Sequence, residues 1–240
     1  MLKVLITRPI LDAVETEKIL KKFCIRSLCL PLIEIKKISH EPVLFSDYDV
    51  FIFTSKNAVR NLKIDVKQLN INKPIFAVGN QTKQLLLIHG FKNVRSTDGD
   101  LENLKEGIKK YLKNGMNILH PTSSKKNKEL ENFFFKYKCK YFNLKCYNTL
   151  KVNKKKSLFK RFMVSENGKI ITLYSRLTAR SFIEEVKKLD LIKFCKDKMF
   201  VVISENVKKE LDSLGKLNIE VAKKPDENEM INLVVKKIRG

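Results

Sequence analysis

Thr54, Ser55 and Asn57 close the apolar run FIF at 51–53, and Gly79 and Thr82 follow IFAV at 75–78, each group standing where a strand gives way to a helical pattern. Residues of these types at such a junction bind anions. A helix start leaves backbone N–H groups without partners and carries partial positive charge, so a carboxylate or phosphate settles there with the hydroxyls and the Asn57 amide as extra donors. Lys56, next to Ser55, either adds charge to the site or lies in solvent. Capping their own helix is the commoner task for such side chains, and both roles fit one position. Two such ends side by side predict a small-molecule cleft.

The pattern recurs. IITLYSRLTA at 170–179 reads as strand, Ser175, then a helix opening with Arg176 and Thr178. MFVVISENVKKEL at 199–211 repeats the 75–86 unit 125 positions on, matching Phe76 to Val201, Gly79 to Ser204 and Leu86 to Leu211. Upstream, VLITRP at 4–9, a helical ETEKILKKF and an apolar return at 28–35 compare with NILHP at 117–121, KELENFFFKY and YFNLKCYNTL. The chain therefore reads A, B, A, B, which implies two related lobes rather than a stack of short units. Arg8 in the TRP turn meets either a ligand carboxylate or an acidic neighbour, and Ser123, Ser124 and Lys125 in HPTSSKK offer further donors.

Strands are expected at 3–7, 28–35, 50–54, 74–78, 92–95, 116–120, 140–145, 169–174, 199–204 and 218–222. Helices fill the intervals, most clearly at 12–23, 56–63, 80–89, 101–113, 126–137, 176–188, 205–214 and 227–238. Alternating strands and helices mean βα units, an α/β fold with parallel sheets and ligand sites at the carboxyl ends of the strands. The interleaved repeat predicts one lobe over roughly 38–146 and a second over 1–35 plus 150–240, with connectors at about 34–40 and 146–152. Two strand-like crossings allow hinge opening while restricting twist.

With 43% apolar residues in 240, the chain can bury one large core or two small ones. No apolar stretch approaches the ~20 residues needed to cross a bilayer, and MLKVLITRP reads as a strand rather than a signal peptide, so a soluble cytoplasmic protein without membrane partners is expected. Five cysteines without a C-x-x-C pair and three scattered histidines argue against a metal site, with buried thiols the expectation. The formal charge of +23 read alone suggests nucleic acid, yet only eight of the 49 basic residues are arginine and the lysines spread through every segment, so no nucleic-acid partner is expected. That distribution fits a solvated surface, a compositional bias or a small anionic substrate, and no nucleic-acid-binding signature accompanies it.

VLITRP, FTSKNAV at 53–59, AVGNQTKQLL at 77–86, CYNT at 146–149 and YSRLTA at 174–179, in this order and duplicated, resemble the uroporphyrinogen-III synthase family over essentially the whole chain. The resemblance implies two flavodoxin-like parallel-sheet lobes joined by a two-strand connector; no long apolar patch or heptad in the sequence demands a partner, so a monomer is the default expectation. The resemblance also implies a cofactor-free lyase that closes hydroxymethylbilane, a polycarboxylate tetrapyrrole, into uroporphyrinogen III with inversion of ring D and loss of water. Tyr147 matches the tyrosine that the family holds near its cleft, where a phenol can donate to the departing hydroxyl. Its other reading is an aromatic strand residue that packs. Thr54, Ser55, Asn57, Gly79, Thr82, Ser175 and Thr178 carry over from the family's helix-start motifs. The chain departs at 204–207, where SENV stands in place of a Gly- and Thr-containing turn, and at HPTSSKK. A non-catalytic two-lobed module that binds an anionic small molecule would use the same fold and the same helix ends.

Overall fold

Runs such as VLI, VFIF, IITL and MFVV are too short and too uniformly apolar for an amphipathic helix, and they form strands buried on both faces. The computed structural model describes residues 2–64, 72–97, 101–123, 127–152 and 155–239. The chain divides into two compact units, Met1–Glu34 with Leu150–Gly240, and Ile35–Thr149.

In the first unit, strands β1 (Val4–Ile6), β2 (Ser27–Cys29), β9 (Ile170–Leu173), β10 (Met199–Val202) and β11 (Asn218–Val221) form a sheet of order β11-β10-β9-β1-β2. All four pairings are parallel. Helices α1 (Ile10–Lys22), α6 (Lys156–Val164), α7 (Arg176–Lys188), α8 (Glu205–Glu210) and α9 (Glu227–Arg239) cover it. Alternation along the strands sorts the side chains. Val4, Ile6, Ile170 and Val201 meet Ala13, Leu20, Met230 and Val234 on one face. Leu5, Ile171, Leu173, Phe200 and Val202 meet Phe159, Phe162, Phe182 and Val186 on the other.

The second unit holds β4 (Val50–Phe53), β5 (Ile75–Val78), β6 (Val94–Thr97), β7 (Asn117–Ser123) and β8 (Lys140–Lys151), bordered by β3 (Ile33–Lys37), in the order β3-β8-β7-β4-β5-β6. Its helices are α2 (Lys56–Asn61), α3 (Asn80–Ile88), α4 (Leu101–Lys109) and α5 (Lys128–Lys136). Phe51, Phe53, Ile75, Ala77 and Leu119 pack with Ala58, Val59 and Leu86. Val50, Ile52, Phe76 and Ile118 pack with Leu104, Ile108, Leu130 and Phe134 on the opposite side. Each fully buried phenylalanine stabilises the fold by about 2–3 kcal/mol.

The sheets share one plan. An A pair (β1 and β2, or β7 and β8) lies beside a B triplet (β9, β10 and β11, or β4, β5 and β6), giving β2-β1-β9-β10-β11 and β8-β7-β4-β5-β6. Counted from the A pair this is the flavodoxin order 2-1-3-4-5, and each sheet draws its pair and its triplet from different halves of the sequence. The order reverses at β1/β9 and at β7/β4, so the switch points lie at the ends of these strands.

Two buried or half-buried lysines brace loops. Lys198, whose ammonium is disfavoured by burial, donates to the Ser165 carbonyl at 2.7 Å. Lys73 donates to the carbonyls of Phe45, Ser46 and Tyr48 at 2.8, 2.9 and 2.6 Å. The cysteines are all free; Cys24 is exposed and Cys29 half-buried, against the expectation of five buried thiols, while Cys139, Cys146 and Cys195 are buried. Cys24 stands at a helix end with φ 59°, a left-handed turn that points it outward.

Candidate functional site

At the switch point of the second unit, β4 ends at Phe53 and the backbone of Ser55 stays extended, so its Oγ accepts from the Asn57 N–H at 3.1 Å and caps α2. Thr54, Ser55, Lys56 and Asn57 are all partly exposed. Asn57 is tied from behind, its carbonyl taking the Asn61 amide at 2.8 Å. Beside it, Gly79 opens α3 with φ 79° and ψ 145°, and among the described residues nothing lies within 4 Å of the position a Cβ would take. Only glycine adopts that backbone without strain, and the space above it is open. Thr82, one turn on, is buried. Ser123 ends β7 partly exposed, and Ser124 and Lys125 lie outside the described residues.

Tyr147 reaches the same place through a bulge. Along β7 and β8 the register pairs Thr122 with Lys145 but Ser123 with Tyr147, leaving Cys146 as the extra residue. A bulge re-aims the side chain that follows it. Cys146 and Tyr147 therefore both turn inward to the cluster of Phe53, Ala58 and Val59, although neighbours in a regular strand face opposite ways. The Tyr147 phenol hydrogen-bonds to Ser55, and burial raises its pKa above 10.0 while that bond opposes the rise. Packing and a contact to the helix cap thus belong to one residue.

Behind β4, Thr54 Oγ1 lies 3.0 Å from His120 Nε2, and His120 Nδ1 lies 2.6 Å from the Tyr141 hydroxyl. His120 is 1% exposed, and burial pushes its pKa from 6.5 down to about 4, so the ring is neutral. Burial also pushes Tyr141 well up.

In the first unit the equivalent ends are occupied differently. Ser175 Oγ accepts from the Thr178 N–H at 3.1 Å and sits 2.8 Å from the Thr178 hydroxyl, which is 1% exposed. Thr178 thus completes the cap from inside and does not face a ligand. Of the two roles open to Arg8, the structure has the internal one: its NH1 donates to Glu227 Oε1 at 2.7 Å and Thr16 Oγ1 at 3.0 Å, and its guanidinium lies 4.0 Å over the Tyr174 ring. Arg176 is exposed and lies 3.5 Å from Glu210, which Arg180 grips with two bonds of 2.7 and 2.6 Å. Ser204 makes no side-chain cap bond, and the unexpected Glu205 lies 3.5 Å from Lys208. Among the described residues no group of three or more His, Cys, Asp or Glu could hold a metal ion.

The sequence pattern described as uroporphyrinogen-III synthase HemD matches residues 14–232. The chain belongs to this family. Among solved structures it is similar to uroporphyrinogen-III synthetase from Helicobacter pylori 26695, with 19% identity, a TM-score of 0.66 and coverage of 99% of this chain and 100% of that one. It is also similar to a mutant uroporphyrinogen III synthase from the extremely thermophilic bacterium Thermus thermophilus, with 14% identity, a TM-score of 0.59 and coverage of 99% and 98%. At these identities the likeness concerns the fold. No curated protein sequence matches. Within the synthase family's helix-start motifs, sequence reasoning reaches Thr54 and Ser55 but misses His120 and Tyr141 behind them. The one available signal is a histidine directly after the apolar pair Ile118 and Leu119 in the strand run NILHP.

Proposed function

We infer that the chain is the synthase that closes hydroxymethylbilane into uroporphyrinogen III, inverting ring D and releasing water, in tetrapyrrole and haem biosynthesis. The family match over residues 14–232 carries this reading. On it, the enzyme is a cyclising hydro-lyase working as a cytoplasmic monomer; among the described residues no helix is long and apolar enough to cross a membrane. Breaking the C–O bond of the hydroxymethyl group, with a proton added to the leaving hydroxyl, yields water and an azafulvene. Its methylene carbon bonds to the substituted position of ring D to give a spiro-pyrrolenine. The spiro centre then fragments and recloses with ring D reversed, and loss of a proton restores the pyrrole.

The protein's main task is to hold a flexible chain of eight carboxylates in the shape that reaches the spiro centre, and positioning alone lowers such a barrier by several kcal/mol. Thr54, Ser55, Lys56, Asn57, the open turn at Gly79, Ser123 and Ser175 suit substrate carboxylates, being partly exposed at strand ends. Arg176 is available at the exposed start of α7. Arg8, Thr82 and Thr178 are buried and act on the shape of the helix ends instead. Tyr147 donates a hydrogen bond to the departing hydroxyl.

The test supplies hydroxymethylbilane from a coupled deaminase, oxidises the products and resolves type I from type III uroporphyrin by chromatography. Enrichment in type III over the spontaneous reaction is expected. Type I alone, from folded protein, would overturn the assignment.

A further inference from the structure

His120 occupies a position where packing asks for no polar group. In the first sheet β1 pairs with β9 so that Ile6 meets Thr172. In the second, Leu119 of β7 meets Phe51 of β4. With Ser55 and Ser175 as equivalent strand ends, the residue after Leu119 takes the place that Ile6 fills in the twin sheet. Ile6 is 0% exposed and His120 1%, so one fold plan accepts an aliphatic residue here and the second unit buries an imidazole instead. Burying a polar ring is unfavourable unless both nitrogens find partners, and both do, in Thr54 and Tyr141.

The direction of the chain follows from donor strength. A neutral imidazole donates through one nitrogen and accepts through the other. A phenol is the stronger acid and stronger donor of the two flanking hydroxyls, and Tyr141 is held in place by stacking on Phe134, with ring centroids 5.4 Å apart at 18°. With Tyr141 as the donor to Nδ1, Nε2–H is the donor to Thr54 Oγ1, which leaves the Thr54 hydrogen for another acceptor. Thr54 is partly exposed beside the Ser55 cap.

We propose that His120 is a positioning residue that, with Tyr141 behind it, commits the Thr54 hydroxyl to donating to a carboxylate of the substrate. The proposal rests on the synthase reading and adds a specific source of substrate affinity to it.

Steady-state kinetics with isomer-resolved products test it in His120→Gln, His120→Ile, Tyr141→Phe and Thr54→Val. Gln places an amide N–H near Nε2, so KM stays within about threefold of wild type. Ile, the residue of the twin sheet, packs but donates nothing, so KM rises about tenfold with kcat little changed, the loss expected for one hydrogen bond to a charged group. In the Thr54→Val background, His120→Ile adds nothing further, because His120 acts only through Thr54. Tyr141→Phe keeps the core volume and gives a smaller KM rise, which is likewise absent in the Thr54→Val background. Fully additive effects, an unchanged KM in His120→Ile, or a Gln variant as impaired as Ile would each overturn the proposal while leaving the synthase assignment standing. Wild-type protein that yields only type I product would remove both.

Discussion

Tyr147 is a buried phenol, and its environment decides what kind of acid it can be. Burial raises its pKa above 10.0, and the Ser55 bond offsets only part of that rise. A weaker acid remains a good hydrogen-bond donor but passes a full proton poorly at neutral pH. Tyr147→Phe is therefore expected to lower kcat about tenfold, the worth of one hydrogen bond to a group gaining charge, while product remains enriched in type III. Because the folded-state pKa is raised, Tyr147 stays protonated through its ordinary range. The wild-type kcat profile should then show no falling limb from this residue below about pH 10. A limb with a midpoint near neutrality that disappears in the Phe variant would instead assign a complete proton transfer.

At the scale of elements, the Arg8 pair ties three pieces of the first unit together: the end of β1, Thr16 of α1 and Glu227 at the start of α9. Both charged residues are buried, at 8% and 5% exposure, so removing one partner strands the other without water. Glu227→Leu is expected to cost about 3 kcal/mol in urea unfolding, and Arg8→Met with Glu227→Leu to recover most of that loss. A double variant no more stable than Glu227→Leu would mean that the guanidinium's stacking on Tyr174 contributes as much as its unpaired charge costs. Sequence patterning reached most elements because strands buried on both faces are continuous apolar runs flanked by helix starts. It failed where the deciding factor was not periodicity. Pro31 splits the expected 28–35 strand into β2 and β3. Helix α6 starts at Lys156 behind Lys155, which makes no side-chain cap bond, and it follows a lysine-rich stretch, so nothing marked its start. The bulge at Cys146 leaves no trace in the residue types around it. Aligning NILHP with VLITRP on their prolines pairs His120 with Arg8, whereas the strand register pairs it with Ile6. The polar substitution inside the core was therefore hidden by a two-residue slip.

For the whole molecule, charge is the property that no element explains. The chain carries +23 in 240 residues, and its proposed substrate carries eight carboxylates. Among the described residues several lysines are engaged locally, such as Lys105 with Glu102 and Lys237 with Glu220, but acidic residues number 26 against 49 basic ones, so a large net positive field remains. A field of this sign attracts a polyanion over distances beyond a hydrogen bond and speeds encounter without changing the bound state. Its reach is set by salt, with a Debye length of about 10 Å at 0.1 M and about 3 Å at 1 M. Raising ionic strength from about 0.05 to about 0.5 M should therefore lower kcat/KM about tenfold and leave kcat nearly flat, since screening acts on encounter and not on the bound complex. Thr54→Val raises KM through a short-range bond, so its ratio to wild type should stay nearly constant across the salt series. If kcat/KM is flat with salt, the lysines reflect composition alone and affinity resides in the strand-end donors; if kcat falls in parallel, the field acts on a step after binding.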